Sequence, residues 1–547
     1  MNDNKHEESQ ESRRKMERPY EGISPFEFKN ELIRLAKDNE KKSARTMLDA
    51  GRGNPNWTAA TPREAFFVFG QFAVEETRRV WNEGDLAGQP KQDGIAQRLD
   101  AYVNKHREQP GVKLLMDIIN YGIEQRHFHP DEWVFELVDG IIGDNYPLPD
   151  RMLVHVEQIV HDYVLAEMAH SEASLGNFDL FSVEGATAAM CYIFETLYAN
   201  YLLESGDKIA LMVPIFPPYI EIPQLSKYNF EIVEIRATEM TENDVHTWQY
   251  PQSEIDKLCD PTIKALFLVN PSNPPSVAMN PKSRELLKEV VLKHNPQLMI
   301  ISDDVYGTFV DDYHSLMADL PFHTIGVYSF SKYFGVTGWR LGVISVQHHN
   351  VFDQLIQQLP EVKQEQLKKR YGSLSLHPSK LRFIDRLVAD SRQVALNHTA
   401  GLSTPQQVQM AFFAAFALLD HKGRYKQLTK DICRRRKKLL FDGLGIEARK
   451  DPYDAAYYTE FDLGEWAQHH YGEKFTKYLQ QEYEPVDILF RLAEQSAIVL
   501  LNGGGFHGPN WSIRVSLANL EDEAYANIGE ALHHTLEEYV TQFKELN

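Results

Sequence analysis

The sequence predicts an α/β protein: a large domain with a mostly parallel central sheet between helices, plus a smaller α/β domain and a helical insertion. Three observations predict it. From about Ser182 onward, short β-rich runs alternate with longer amphipathic ones, which is the pattern of βα units. One unit is complete: the runs Ile263–Val269 and Leu298–Ser302 flank Pro281–His294, which reads as a helix and makes a βαβ crossover. Proline opens that helix, and Leu286, Leu287, Val290 and Val291 recur at helical spacing. Finally, 547 residues with 43% hydrophobic content can bury a large core, which a small binding module does not need.

Further strands are expected at Lys208–Val213 and Thr324–Ser329. Residues 1–50 form an N-terminal extension whose first twenty residues are polar and charged; they read as a mobile tail and lack the apolar core of a signal peptide. Residues 51–60 are a Gly/Pro/Asn-containing segment, and 61–140 are helix-like, rich in charge and aromatics, and read as an insertion. The large domain is expected over 141–405. The small domain follows over 406–547, with long helical patterns around a few short strands.

Composition excludes several function classes. Lys and Arg number 57 against 78 Asp and Glu, and the formal charge of −21 opposes non-specific attraction to nucleic acid or anionic lipid. A small-molecule substrate is the default. The three cysteines, Cys191, Cys259 and Cys433, have no CxxC spacing, which excludes a disulfide framework and any recognisable zinc or redox motif and fits a reducing cytoplasm. No metal is expected. No apolar run approaches the ~20 residues needed to cross a bilayer, the best being Met410–Leu419. The basic run Arg434–Lys438 reads as a solvated helix face and receives no function.

The strongest chemical signal is Ser329-Phe330-Ser331-Lys332, just past a buried strand, with Gly338-Trp339-Arg340-Leu341-Gly342 after it. A lysine condenses with an aldehyde only when part of it is neutral, so desolvation or a neighbouring cation must lower its pKa. Ser329 and Arg340 can both donate to a phosphate, and the arginine supplies such a cation.

This arrangement resembles the cofactor-lysine signature of the class I aminotransferases, pyridoxal-5′-phosphate (PLP) enzymes of fold type I. The resemblance implies that Lys332 carries PLP as a Schiff base. Ser302-Asp303-Asp304-Val305-Tyr306 is similar to the family's D-x-x-Y, in which the aspartate pairs with the protonated pyridine nitrogen and the tyrosine bonds the ring's O3′. Those roles pass to Asp303 and Tyr306. Asp304 is the rival, but only Asp303 has the right spacing to Tyr306. Asn270-Pro271-Ser272-Asn273 resembles the family's N-P-x-N loop and gives Asn273 a contact to O3′ and a place beside the substrate. The sequence departs from the P-T-G that follows, placing Pro274-Pro275-Ser276 there and removing a glycine.

Gly185, Ala186 and Thr187 stand where the family binds phosphate, at the start of a helical pattern whose free N–H groups and positive dipole end suit an anion. Arg514, in Ser512-Ile513-Arg514-Val515-Ser516, resembles the arginine that forks onto the substrate α-carboxylate. Ser403-Thr404-Pro405-Gln406 resembles a hydroxyl segment near the phosphate across a dimer. Tyr146 resembles the tyrosine that reaches a neighbouring subunit's phosphate. Together they imply a homodimer as the minimum unit and a higher homo-oligomer in prospect. Gly51-Arg52-Gly53 resembles the segment covering the substrate, which makes Arg52 and Gly53 substrate contacts.

The chain exceeds ordinary members of the family by about a small domain's worth of residues. Its acidic N-terminal tail, its insertion, the NPSNPPS loop and the run from Asn397 to Gln407 resemble the branch of bacterial aspartate 4-decarboxylases, which also transaminate aspartate. The resemblance implies that L-aspartate loses its 4-carboxylate and leaves as alanine. Transamination is then a side reaction through a shared intermediate, and a 2-oxo acid serves as co-substrate or reactivator. Asn397, His398 and Thr399 occupy the stretch where aspartate aminotransferases hold the distal carboxylate with an arginine. Two alternatives stay open: an aminotransferase for another amino acid, and a regulator using such a domain as a sensor. For the second, residues 1–50 are too short and too mixed in charge to supply a DNA-binding module.

Overall fold

The computed structural model describes residues 2–43, 46–169, 176–242, 245–395 and 401–546. Seven strands form the main sheet: β1 (Phe178–Val183), β2 (Lys208–Val213), β3 (Glu231–Arg236), β4 (Ile263–Val269), β5 (Met299–Asp303), β6 (Thr324–Ser329) and β7 (Gly342–Gln347). Their order is β1-β7-β6-β5-β4-β2-β3. Only β7 runs against its neighbours; the rest are parallel. Most strand residues are buried, as a sheet covered on both faces requires, so they read as apolar runs rather than alternations. The expected strands β2, β4 and β6 fall on their observed bounds. β5 starts and ends one residue later than expected, and it gains Asp303 because that residue pairs with Val269 and Val327.

The N-terminal residues depart from expectation. The first twenty, read as a mobile tail, form helix α1 (Asn2–Glu17) and a following 3-10 turn, and α2 (Pro25–Ser43) comes next. Arg13 and Arg14 hold α1 in place through Asp487 and Glu484, and Arg18 also bonds Glu484. No sequence rule for tails captures carboxylates that lie more than 460 residues away.

The segment from 61 to 140 is helical: α3 (Ala60–Val80), α4 (Ile95–Lys105), α5 (Val112–Gln125) and α6 (Pro130–Ile142), with a two-residue hairpin after α3. α7 (Val154–Ala169) and α8 (Ala186–Ala199) flank the sheet, and α9 (Pro281–Lys293) is the expected crossover, capped by the Asn280 side chain accepting from Ser283 N. α10 (Thr404–Leu419) packs against α3, α5, α6 and α7, so the insertion and the main body share one core.

A second sheet of three antiparallel strands, β8 (Tyr458–Asp462), β9 (Leu501–Asn502) and β10 (Ser512–Ser516), has the order β8-β10-β9. α11 (Arg424–Leu444), α12 (Leu463–Glu482), α13 (Asp487–Ser496) and α14 (Asp522–Leu546) surround it. Leu48–Asp49 pairs with Ile498–Val499, bringing the chain after α2 beside this sheet. No described helix is long and apolar enough to cross a membrane.

Candidate active site

The carboxyl ends of β4, β5 and β6 and the N-terminus of α8 open onto a cavity of about 280 Å3, which residues from the second sheet close. This is where ligands bind in open α/β sheets. Lys332, three residues after β6, is half-buried, and its Nζ donates to the carbonyl of Gly53 at 3.0 Å. Burial, above all, holds its pKa below the ordinary lysine value; Tyr458 and Asp303 oppose that shift, while the guanidiniums of Arg514 and Arg340 reinforce it. A partly neutral amine results, as condensation with an aldehyde requires.

Asp303 ends β5 and faces the cavity with 5% of its surface exposed. Burial, then the neighbouring Asp304, pushes its carboxyl up to about 7, while Tyr219 donates to its Oδ2 at 3.2 Å. Asp304 points elsewhere. Ser302, Tyr313 and Ser315 all donate hydroxyl hydrogen bonds to it, so its carboxylate is consumed within the fold. Strand alternation separates the two acids, since adjacent residues face opposite sides. Tyr306 lines the cavity and donates to the Tyr458 hydroxyl at 3.0 Å.

Arg514 is 1% exposed on β10. Its Nη1 donates to Asn273 Oδ1 at 3.2 Å and its Nη2 to Gly51 O at 2.8 Å, while Nε has no partner. Its guanidinium carbon lies 4.3 Å from the Tyr458 ring centroid and 5.2 Å from that of Phe506. Among the described residues, no carboxylate pairs with this buried cation.

At the other side of the lysine, Ala186 and Thr187 line the cavity at the first turn of α8, with Gly185 as its N-cap at φ 87°. A Cβ on Gly185 would come within 2.4 Å of Arg340 Nη2, so only glycine lets that guanidinium lie against the turn. Arg340 itself sits at φ 55° and donates to Thr337 O and Glu184 O. Ser329 lines the same cavity, its hydroxyl donating to Ser331.

The loop after Asn273 has a physical answer to its missing glycine. Ser276 takes the left-handed conformation, φ 65°, and its Oγ accepts from the backbone N–H groups of Tyr457 and Tyr458 at 3.1 and 3.3 Å. The serine thereby ties the loop to β8.

Not every expected residue arrives. Arg52 points outward, its side chain 62% exposed and paired with Asp49, and it does not line the cavity. Gly53 does line it. Tyr146 is 68% exposed and lies outside this chain's cavity, as does Ser403, which caps α10 in a capping box with Gln406. Asn397, His398 and Thr399 lie outside the described residues. Conversely, Tyr458, Phe26 and Phe216 line the cavity without having been expected. Only Tyr458 carried a sequence signal, the alternation of a short strand, and nothing in that pattern names the face opposite Lys332.

The set fits a phosphorylated pyridine aldehyde: a half-buried lysine, an anion cradle that a Cβ would fill, a buried acid without an ion pair among the described residues, and an arginine with an orphaned Nε. The fold and the site thus define a PLP enzyme of fold type I. A model of the class I and II aminotransferases matches residues 185–532, and the chain belongs to that family. It is 48% identical over 526 residues to a bifunctional aspartate aminotransferase and L-aspartate beta-decarboxylase of Pseudomonas sp., covering 96% of this chain and 98% of that one. An aspartate aminotransferase of Pyrococcus abyssi is 28% identical over 42% of this chain and 57% of its own. Among solved structures, a Thermus thermophilus aspartate aminotransferase mutant aligns at TM-score 0.55 with 16% identity, covering 92% and 94% of the two chains. The aromatic aminotransferase of Pyrococcus horikoshii aligns at 0.56 with 17% identity, covering 92% and 99%. These two establish the fold alone.

Proposed function

We propose that this chain is a PLP-dependent L-aspartate 4-decarboxylase that releases L-alanine and CO2, with aspartate transamination as a side reaction. The observation that carries the proposal is Arg514: a buried guanidinium facing Lys332, with neutral acceptors on two nitrogens and none on the third. A buried cation without a counter-ion is costly, and an amino acid's α-carboxylate relieves it.

PLP, when bound, supplies an electron sink joined to the substrate's α-carbon. The chain does the rest. Lys332 would hold the cofactor, and its amine is the base placed to move the substrate's α-proton. Asp303 would pair with the pyridine nitrogen and Tyr306 and Asn273 with the ring hydroxyl oxygen. The first turn of α8, Ser329 and Arg340 would hold the phosphate. Arg514 and the Gly53 segment position the substrate.

The distal carboxylate meets a different setting. Among the described residues lining the cavity, the cations are Lys332, Arg340 and Arg514, and each already has one of these tasks. A 4-carboxylate left without an ion pair can depart as CO2, the bonding electrons passing toward Cα and the electron sink and a proton taking the vacated place on Cβ. The full-length likeness to the Pseudomonas enzyme supports the same substrate. Tyr146 and Ser403, outside the cavity of their own chain, support a homodimer that completes the phosphate site across its interface, in the cytoplasm.

The test supplies aspartate labelled at C4 and follows label and alanine, with and without pyruvate. Labelled CO2 matching alanine, with pyruvate restoring activity lost during turnover, is the expected result. Label retained in oxaloacetate returns the chain to the aminotransferases proper, and an amino-acid panel then identifies the substrate.

A further inference from the structure

We propose that His246, Asp462 and Glu465 bind one divalent transition-metal ion, tying the segment between β3 and β4 to the start of α12. Their donor atoms converge: His246 Nε2 lies 2.9 Å from Asp462 Oδ2 and 3.6 Å from Glu465 Oε2, and all three lie within 4.8 Å of one another. Nitrogen and oxygen donors held about 2.1 Å from a shared tetrahedral centre stand roughly 3.4 Å apart, a spacing that falls between those two distances.

The backbone prepares this convergence. Asp462 is the N-cap of α12, and its Oδ1 accepts from Glu465 N at 3.0 Å, which leaves Oδ2 for His246. N-cap and third helical residue share one side of a first turn, so the two carboxylates are aimed together. Trp248 stacks on the His246 ring at 4.4 Å and 15°, which sets the plane of the imidazole.

Charge makes the same demand. The three side chains are only 10–19% exposed, and a divalent cation among them would offset the two partly buried carboxylates. A cavity of about 390 Å3 adjoins the group, with His469 on its wall one helical turn beyond Glu465. It offers room for water and a fourth donor on the same helix face. An oxygen-only set would favour calcium or magnesium, whereas an imidazole with carboxylates suits zinc, manganese or cobalt.

The experiment titrates chelator-treated, full-length holoenzyme with CoCl2, following the visible ligand-field absorption of bound cobalt and the metal content after gel filtration. One ion per chain is expected. His246→Gln and Glu465→Gln should each weaken binding about tenfold or more. Asp462→Asn, which retains an N-cap residue, should also weaken it. His534→Gln, at an exposed histidine beside Glu538, should bind like the parent. Cofactor absorbance reports that each variant is folded. No stoichiometric uptake, or uptake unchanged in His246→Gln and Glu465→Gln, overturns the proposal and leaves a histidine hydrogen-bonded to Asp462.

Discussion

Arg514 donates to Asn273 across 241 residues of sequence, so a residue of the second sheet and the cofactor loop of the first form one hydrogen-bonded unit. Closing the second sheet over β4 makes this contact, and it sets the plane in which a carboxylate meets the guanidinium.

Arg514→Ala should therefore weaken decarboxylation and transamination together. A bidentate charged contact is worth about 2–4 kcal/mol once its partner is left unpaired, a ten- to thousand-fold fall in kcat/KM. Asn273→Ala should raise KM for aspartate about tenfold by freeing Arg514. Steady-state kinetics with both products measured checks each; an unchanged kcat/KM in Arg514→Ala removes it from the substrate site.

Borohydride reduction of the holoenzyme should leave pyridoxyl-lysine at Lys332, whose burial favours the neutral amine. Peptide mass spectrometry locates the adduct. A modified lysine elsewhere, or a Lys332→Ala protein that keeps the internal Schiff-base absorbance, contradicts the assignment.

Asp303 makes a prediction about pH. Its carboxyl is pushed from 3.8 to about 7 by burial and Asp304, so the folded cofactor-free protein holds a proton that the unfolded chain has lost. Stability from this group is fully present below about pH 4 and is lost as pH rises toward and through 7, an effect on the order of 2–4 kcal/mol. Asp304 and Glu460 are shifted in the same direction, so the informative quantity is a difference between proteins. Cofactor-free Asp303→Asn should lose less stability between pH 5 and pH 8 than the parent, as read by thermal unfolding. Parallel curves would place the proton elsewhere.

Ser276→Gly sets two effects against each other. Glycine relieves a left-handed φ worth about 1–2 kcal/mol. It also strips two buried backbone N–H groups of their acceptor, at about 1–3 kcal/mol each. The net expectation is a loss of about 1–2 kcal/mol in urea unfolding, with Ser276→Ala worse because it keeps the strain. A stabilised glycine variant would show that the tie to β8 contributes little.

Much of the site was legible because its parts are short and consecutive. Asp303, Tyr306, Ser329, Lys332 and Arg340 all lie at or near strand ends, where a few residues of local geometry place each side chain at the same edge of the sheet. The spacing to Tyr306 favoured Asp303 over Asp304, and of the two only Asp303 lines the cavity, while Ser302, Tyr313 and Ser315 engage Asp304. The ordered N-terminus was not legible, because Arg13, Arg14 and Arg18 are anchored by carboxylates distant in sequence. Nor was the outward turn of Arg52, which Asp49 holds at the surface.

By itself, the sequence determined the α/β class, the parallel strands and many of the residues that line the cavity, since periodicity and strand-end motifs act within a few residues. Only the tertiary structure decided what closes the cavity. Tyr458, Phe26 and the Asn273–Arg514 bond come from elements whose mutual approach depends on burying two sheets and an N-terminal helix against one another. Alternation tells which face of β8 is buried; which residues it is buried against is a property of the whole chain.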